Sequence, residues 1–118
     1  MDHTDTVEAI KEELMERLSS SGLNGIVIIE ITENNEAISL DKIVSKKKGR
    51  GNAQRALSVL LSLADECCKD VMTIPHALSR STRTDQLERW YENNGFERVI
   101  DSNGMNIFMR RSGAGIGA

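Results

Sequence analysis

The stretch from Ala37 to Pro75 narrows the choice of fold more than any other part of the chain. It reads AISLDKIVS, then the basic glycine turn KKKGRG, then NAQRALSVLLSLADECCK, then DVMTIP. The first piece is rich in β-branched residues and reads as a strand. After the turn, Ala53, Ala56, Leu57, Leu60, Leu61, Ala64 and Cys68 share one helical face, with Arg55, Ser58 and Ser62 opposite. This predicts a helix from about Ala53 to Lys69, followed by a short strand. Two strands joined through a helix cross over and run parallel. The chain is therefore committed to a sheet with at least one parallel pair at its centre.

The flanking segments fit around that unit. Asp5 or Thr6 can cap a first helix with Glu8 in its opening turn, and Val7, Ile10, Leu14 and Leu18 give it one buried stripe. Gly22 is a natural left-handed stop. GIVIIEI is a strand whose near-continuous apolar character predicts cover on both faces, and the Glu33-Asn34-Asn35-Glu36 turn joins it to AISLDKIVS as an antiparallel hairpin. Beyond the polar loop LSRSTR, Thr84 or Asp85 caps a third helix running through Tyr91 to Asn94, which Gly95 ends. FERVI and MNIFMRR form a second hairpin around Asn103-Gly104. The predicted order is α, β-hairpin, α, β, α, β-hairpin, an α/β (α+β) fold in one domain over 1–112. Residues 113–118, SGAGIGA with Ser112, read as a loose tail.

Composition excludes several classes. The 118 residues can close a modest core without staples, and 39% apolar with 28% charged residues is the balance of a soluble globule. No apolar run has the roughly 18 residues that a membrane span needs. The opening MDHTDTVEAIKEEL is acidic and lacks an apolar signal core, which predicts a cytoplasmic protein. Cys67 and Cys68 are neighbours in the predicted helix, pointing about 100° apart, so they read as unpaired small thiols rather than a bridge. His3 and His76 lack ligand-spaced partners, and no metal site is expected. The net charge of −3 argues against an overall grip on nucleic acid.

Positive charge is concentrated instead between Lys46 and Arg55. At a strand-to-helix turn, free N–H groups point at whatever lies before the helix. Glycine lets the backbone approach oxygen closely, and lysine and arginine add attraction for phosphate. A diphosphate is the natural guest. A Walker loop, G-x-x-x-x-G-K-[ST], is absent. The dinucleotide pattern G-x-G-x-x-G fails as well, because Gln54 follows Gly49-Arg50-Gly51 where glycine is needed.

Lys48-Gly49-Arg50-Gly51-Asn52-Ala53 resembles the cofactor loop of GNAT-type N-acetyltransferases, [Q/R]-x-x-G-x-[G/A], with lysine in the first place. ISLDKIVSKKK resembles the family's central strand leading into that loop, and LERWYENNGFERV its last helix and following strand. The resemblance spans about Ala37 to Arg110. It implies a mixed, mostly antiparallel sheet whose central parallel pair splays around acetyl-CoA, with about three helices packed on it. The family fold normally opens with a further strand and helix before its first hairpin. Short forms of this kind resemble acetyltransferase-like proteins of bacteriophages, which implies a host cytoplasm if the protein is viral.

Residue by residue, the resemblance implies that backbone groups around Ile43 and Val44 pair with the pantetheine arm. Lys48 adds charge at the loop, and amides of Gly49, Arg50, Gly51, Asn52, Ala53 and Gln54 cradle the pyrophosphate. Thr84 stands where the family often has an asparagine that touches the cofactor. Pro75 ends strand pairing at the level where the central strands part. Tyr91 matches the tyrosine that protonates the departing thiolate. It is the chain's only tyrosine, it shares a helical face with Leu87, and a phenol of pKa near 10 holds its proton at neutral pH. The plain alternative is a core aromatic with a satisfied hydroxyl. Asp41 and His76 are candidates for the general base, with Glu30 and Glu36 weaker ones.

The expected activity is acetyl transfer from acetyl-CoA to a primary amine, on a small molecule or a protein, and a homodimer is compatible with it. The alternative is a non-catalytic binding or virion-associated module that keeps the fold. A nucleic-acid binder using Lys46, Lys47, Lys48 and Arg50 is disfavoured by scarce aromatic residues and the acidic total.

Overall fold

The structure is a computed structural model. It describes residues 7–34, 37–46, 51–74, 84–100, 103–104 and 106–112, without the side chains of Val7, Asn34, Thr84 and Asn106. Within them lie helices α1 (Val7–Ser20), α2 (Asn52–Glu66) and α3 (Thr84–Asn93), and strands β1 (Val27–Asn34), β2 (Ala37–Ser45), β3 (Val71–Thr73), β4 (Glu97–Ile100) and β5 (Asn106–Arg110). The predicted caps Asp5 and Thr6, the Asn35-Glu36 turn, Pro75, the LSRSTR loop and the 113–118 tail fall outside the described residues.

The five strands form one sheet in the order β1-β2-β3-β5-β4. Both predicted hairpins are antiparallel, and β2 and β3 run parallel as the crossover requires. Ile10, Leu14 and Leu18 of α1 and Ala56, Leu57, Leu60 and Ala64 of α2 are buried against Val27, Ile31, Ile38, Leu40 and Val71 of the sheet. Arg17 of α1 forks onto Glu66 at the end of α2 at 2.6 and 2.7 Å and also bonds Glu13. Its guanidinium holds the exposed Glu66 carboxyl below the usual range.

The first strand corrects the sequence reading. Val27 and Ile31 are buried, but Ile28 between them is 36% exposed and Glu30 and Thr32 face solvent. The helices pack on one face of β1, and β1 is an edge of the sheet. Its β-branched run reflects preference for extended backbone rather than burial on both sides.

All three helices end in one hydrogen-bonding pattern, in which the chain turns left-handed and two amides return to the last turn. In α1 these are Leu23 N–H to Leu18 C=O and Gly22 N–H to Ser19 C=O; in α3, Phe96 to Tyr91 and Gly95 to Glu92. In α2 the same bonds run from Lys69 to Ala64 and from Cys68 to Asp65. Cys68 therefore occupies the left-handed position at φ 56°, where the other two ends have glycine. This shortens the helix expected to reach Lys69: it stops at Glu66, and Cys68 is exposed rather than on the buried face. A β-carbon in this conformation costs about 1 kcal/mol, so Cys68→Gly is expected to raise stability by about that amount in a denaturant titration.

Candidate cofactor site

The parallel pairing of β2 with β3 is short. Only Ile38↔Val71 and Ser39↔Met72 are in register, although β2 continues to Ser45. β3 itself ends at Thr73. Thr73, 3% exposed, donates its hydroxyl proton to the Leu40 carbonyl at 2.9 Å and so satisfies an acceptor the ladder has left behind. The splay implied by the family resemblance would begin beyond this point, at Pro75, which lies outside the described residues.

Alternation along β2 decides which of its backbone groups beyond the parallel pairing face away from β1. Lys46 N–H bonds the Ile26 carbonyl on the β1 side. Counting back through the antiparallel register, Val44 exchanges bonds with Ile28 and Lys42 with Glu30, while Ile43 turns its N–H and C=O away from β1. Of the two residues expected to meet the pantetheine arm, Ile43 alone has the required orientation. The backbone of Val44 is committed to β1.

The register shifts between Glu30 and Ile31, leaving Asp41 as the extra residue of a β-bulge. The apolar spacing Ile38, Leu40, Ile43 carries the signal, because an unbroken strand would place the third inward residue at 42. Asp41 accepts hydrogen bonds from Thr32 and Ser39, both at 2.8 Å. These lie on the face opposite the helices, since Ile31 and Leu40 point toward them. The other candidate base, His76, is outside the described residues, as are Lys48, Gly49 and Arg50.

Gly51 opens α2 at φ 69° with no side-chain cap, and no acidic side chain occupies the first turn. The amides of Asn52, Ala53 and Gln54 follow, with Asn52 buried and the other two half-buried. A β-carbon on Gly51 would meet nothing within 4 Å, so its cost is conformational. Gly51→Ala is expected to lower stability by about 1 kcal/mol through the left-handed strain alone, measurable by urea unfolding. Thr84 is the first residue of α3.

Tyr91 lies in the helical turn just before Gly95. Its ring meets Phe96 edge-on at 5.2 Å and Trp90 at 5.1 Å. The side chain is 4% exposed, and its hydroxyl hydrogen-bonds Thr73. Thr73 thus stands between the Tyr91 hydroxyl and the Leu40 carbonyl. Burial pushes the phenol pKa up and the Thr73 bond opposes this in part, so the group is protonated at neutral pH. The role of Thr73 was not foreseen. Its signal was a threonine at the inward position of VMT, two residues from Val71.

Elsewhere, a groove of about 770 Å³ runs between α1 and α2, with Glu16, Ser20, Ser58 and Ser62 in its wall. None of its lining residues is among the candidates above. Among the described residues no cluster of ligating side chains could hold a metal ion, and no helix is long and apolar enough to cross a membrane.

The five-stranded mixed sheet with three helices is consistent with a GNAT-like fold. The chain superposes on the crystal structure of the anti-CRISPR protein AcrVA5 with a TM-score of 0.63 at 15% identity, over 72% of this chain and 90% of that one. No protein-family model and no curated protein matches the sequence.

Proposed function

We propose that the protein is an acetyl-CoA-dependent N-acetyltransferase acting by direct transfer to a primary amine. The observation that carries this reading is a buried, protonated phenol bonded to Thr73 at the end of the short parallel pairing, beside a strand on which Ile43 turns its backbone groups away from β1. The bound cofactor supplies an acetyl group activated as a thioester. Ile43 pairs with the pantetheine arm as one strand pairs with another. The amides from Gly49 through Gln54, with Lys48 beside them, hold the pyrophosphate. Backbone N–H groups at the splay polarise the acetyl oxygen. Tyr91 keeps a proton at its phenol oxygen for the sulfur as it leaves, and Thr73 holds that oxygen in place. Asp41 or His76 takes the proton of the amine. Asp41 reaches the opposite face of the sheet, so it serves an acceptor approaching from that side.

One observation favours a second reading, a non-catalytic module that keeps the fold. The Tyr91 hydroxyl is buried and already bonded to Thr73, as in an ordinary core tyrosine. Two measurements separate the readings. Calorimetry with CoA should show binding, and thiol release from acetyl-CoA should then appear with a primary amine from a panel of small amines and lysine peptides. Binding without turnover on any amine supports the module; absence of binding removes the cofactor from both.

A further inference from the structure

Gln54 faces two ways. Its backbone N–H belongs to the first turn of α2, but its side-chain amide reaches α3. Trp90 donates its indole N–H to Gln54 Oε1 at 2.8 Å, and Asn94 Nδ2 donates to the same oxygen at 3.1 Å. Gln54 Nε2 returns a bond to Asn94 Oδ1 at 2.6 Å, and Asn94 Nδ2 also bonds the Trp90 carbonyl at 2.8 Å. The two amides are thus paired reciprocally, with the indole locked onto one side. Trp90 is next to Tyr91 in the chain, and their rings are in contact.

The helix bearing these residues needs such a link. It has ten residues, too few to hold a helix by itself in water. Its Glu88–Arg98 ion pair is largely exposed and contributes little. The partly buried amide pair is directional, so it fixes where Trp90 and Tyr91 stand relative to the start of α2.

We propose that Gln54 is a positioning residue, coupling the phosphate-binding turn of α2 to the Tyr91 phenol through Trp90 and Asn94. This rests on the acetyl-CoA reading above. In that reading the turn holds one end of the cofactor and Tyr91 serves the other, so the distance between them sets whether the proton reaches sulfur. A helix displaced by a fraction of an ångström loses rate without losing affinity.

The test uses the intact protein and three readouts. Gln54→Leu should slow turnover about 10-fold while CoA binding measured by calorimetry is unchanged. In a Tyr91→Phe background the same substitution should have no further effect, because the residue acts only through the phenol. Trp90 is the chain's only tryptophan, so its indole N–H gives a single NMR resonance. That resonance should move when CoA is added to the wild type and stay still in Gln54→Leu. The length swap, Gln54→Asn with Asn94→Gln, preserves the total reach and should recover most of the rate. Additive losses in the Tyr91→Phe background would overturn the coupling, as would an indole resonance unmoved by CoA in the wild type. Should Gln54→Leu fail to fold, the wild-type indole titration and the length swap still decide. Absence of CoA binding to the wild type would instead strike the cofactor reading, and the coupling with it.

Discussion

Tyr91→Phe is expected to bind CoA as the wild type does and to turn over about 100-fold more slowly, the lower range for loss of a general acid. The ring contacts with Phe96 and Trp90 survive the change, so the hydrophobic packing is retained. Only the hydroxyl goes, and with it one bond to Thr73. Thr73 keeps its partner at the Leu40 carbonyl, so the loss of stability should be about 1 kcal/mol. The two effects are separable: turnover reads the proton, and unfolding reads the bond. A variant as fast as the wild type would remove the catalytic role of Tyr91 and leave it a core aromatic.

The same phenol gives a pH dependence with a definite sign. Its folded pKa is raised by burial above the unfolded value of about 10. Below that value both states hold the proton and the contribution is complete. As pH rises past it, the unfolded chain releases its proton first, so stability falls until the folded phenol also ionises. The wild type should therefore lose stability above about pH 10 more steeply than Tyr91→Phe. As the protein has one tyrosine, tyrosinate absorbance in the folded state follows this group directly. An ordinary titration midpoint would contradict the burial described here.

The second large effect concerns stability. Asp65→Ala should cost about 3 kcal/mol and lower the melting temperature by on the order of 10 °C. Arg110, 5% exposed, grips the Asp65 carboxylate with two bonds of 2.8 and 3.1 Å. This pair joins the end of α2 to β5. The arginine side chain also runs beneath Gly95, where an added β-carbon would stand 3.6 Å from its Nε. Removing the carboxylate leaves a guanidinium charge with little access to water. Replacing both partners, Asp65→Leu with Arg110→Met, removes that charge as well and should recover most of the loss. If Asp65→Ala unfolds at the wild-type denaturant concentration, the pair contributes nothing measurable.

Much of this architecture was readable from local pattern. The strand–helix–strand segment required a parallel pair, and the spacing of Leu57, Leu60, Leu61 and Ala64 required a helix over it. Gly22 and Gly95 marked two helix ends correctly because a left-handed residue there is almost always glycine. Cys68 takes the same conformation without that advertisement, and so the end of α2 was placed too late. Apolar content in β1 was misread because β-branching serves an edge strand and a central one alike.

The site was legible in part for a related reason. The turn at Gly51 and the lone tyrosine are local features, and a sequence displays them. Thr73, Asn94 and the side chain of Gln54 act through partners distant in the chain, Trp90 lying 36 positions and Asn94 40 positions after Gln54. Such polar pairing has no periodicity. The choice of Ile43 over Val44 depended likewise on hydrogen-bond alternation, which the bulge at Asp41 and the register with β1 determine.

The most direct test is an amide NMR titration with CoA, followed at Gly51, Asn52, Ala53 and Gln54. Shifts concentrated in those four signals and at Ile43 are the predicted result. A titration to saturating CoA that leaves these signals in place would contradict the account.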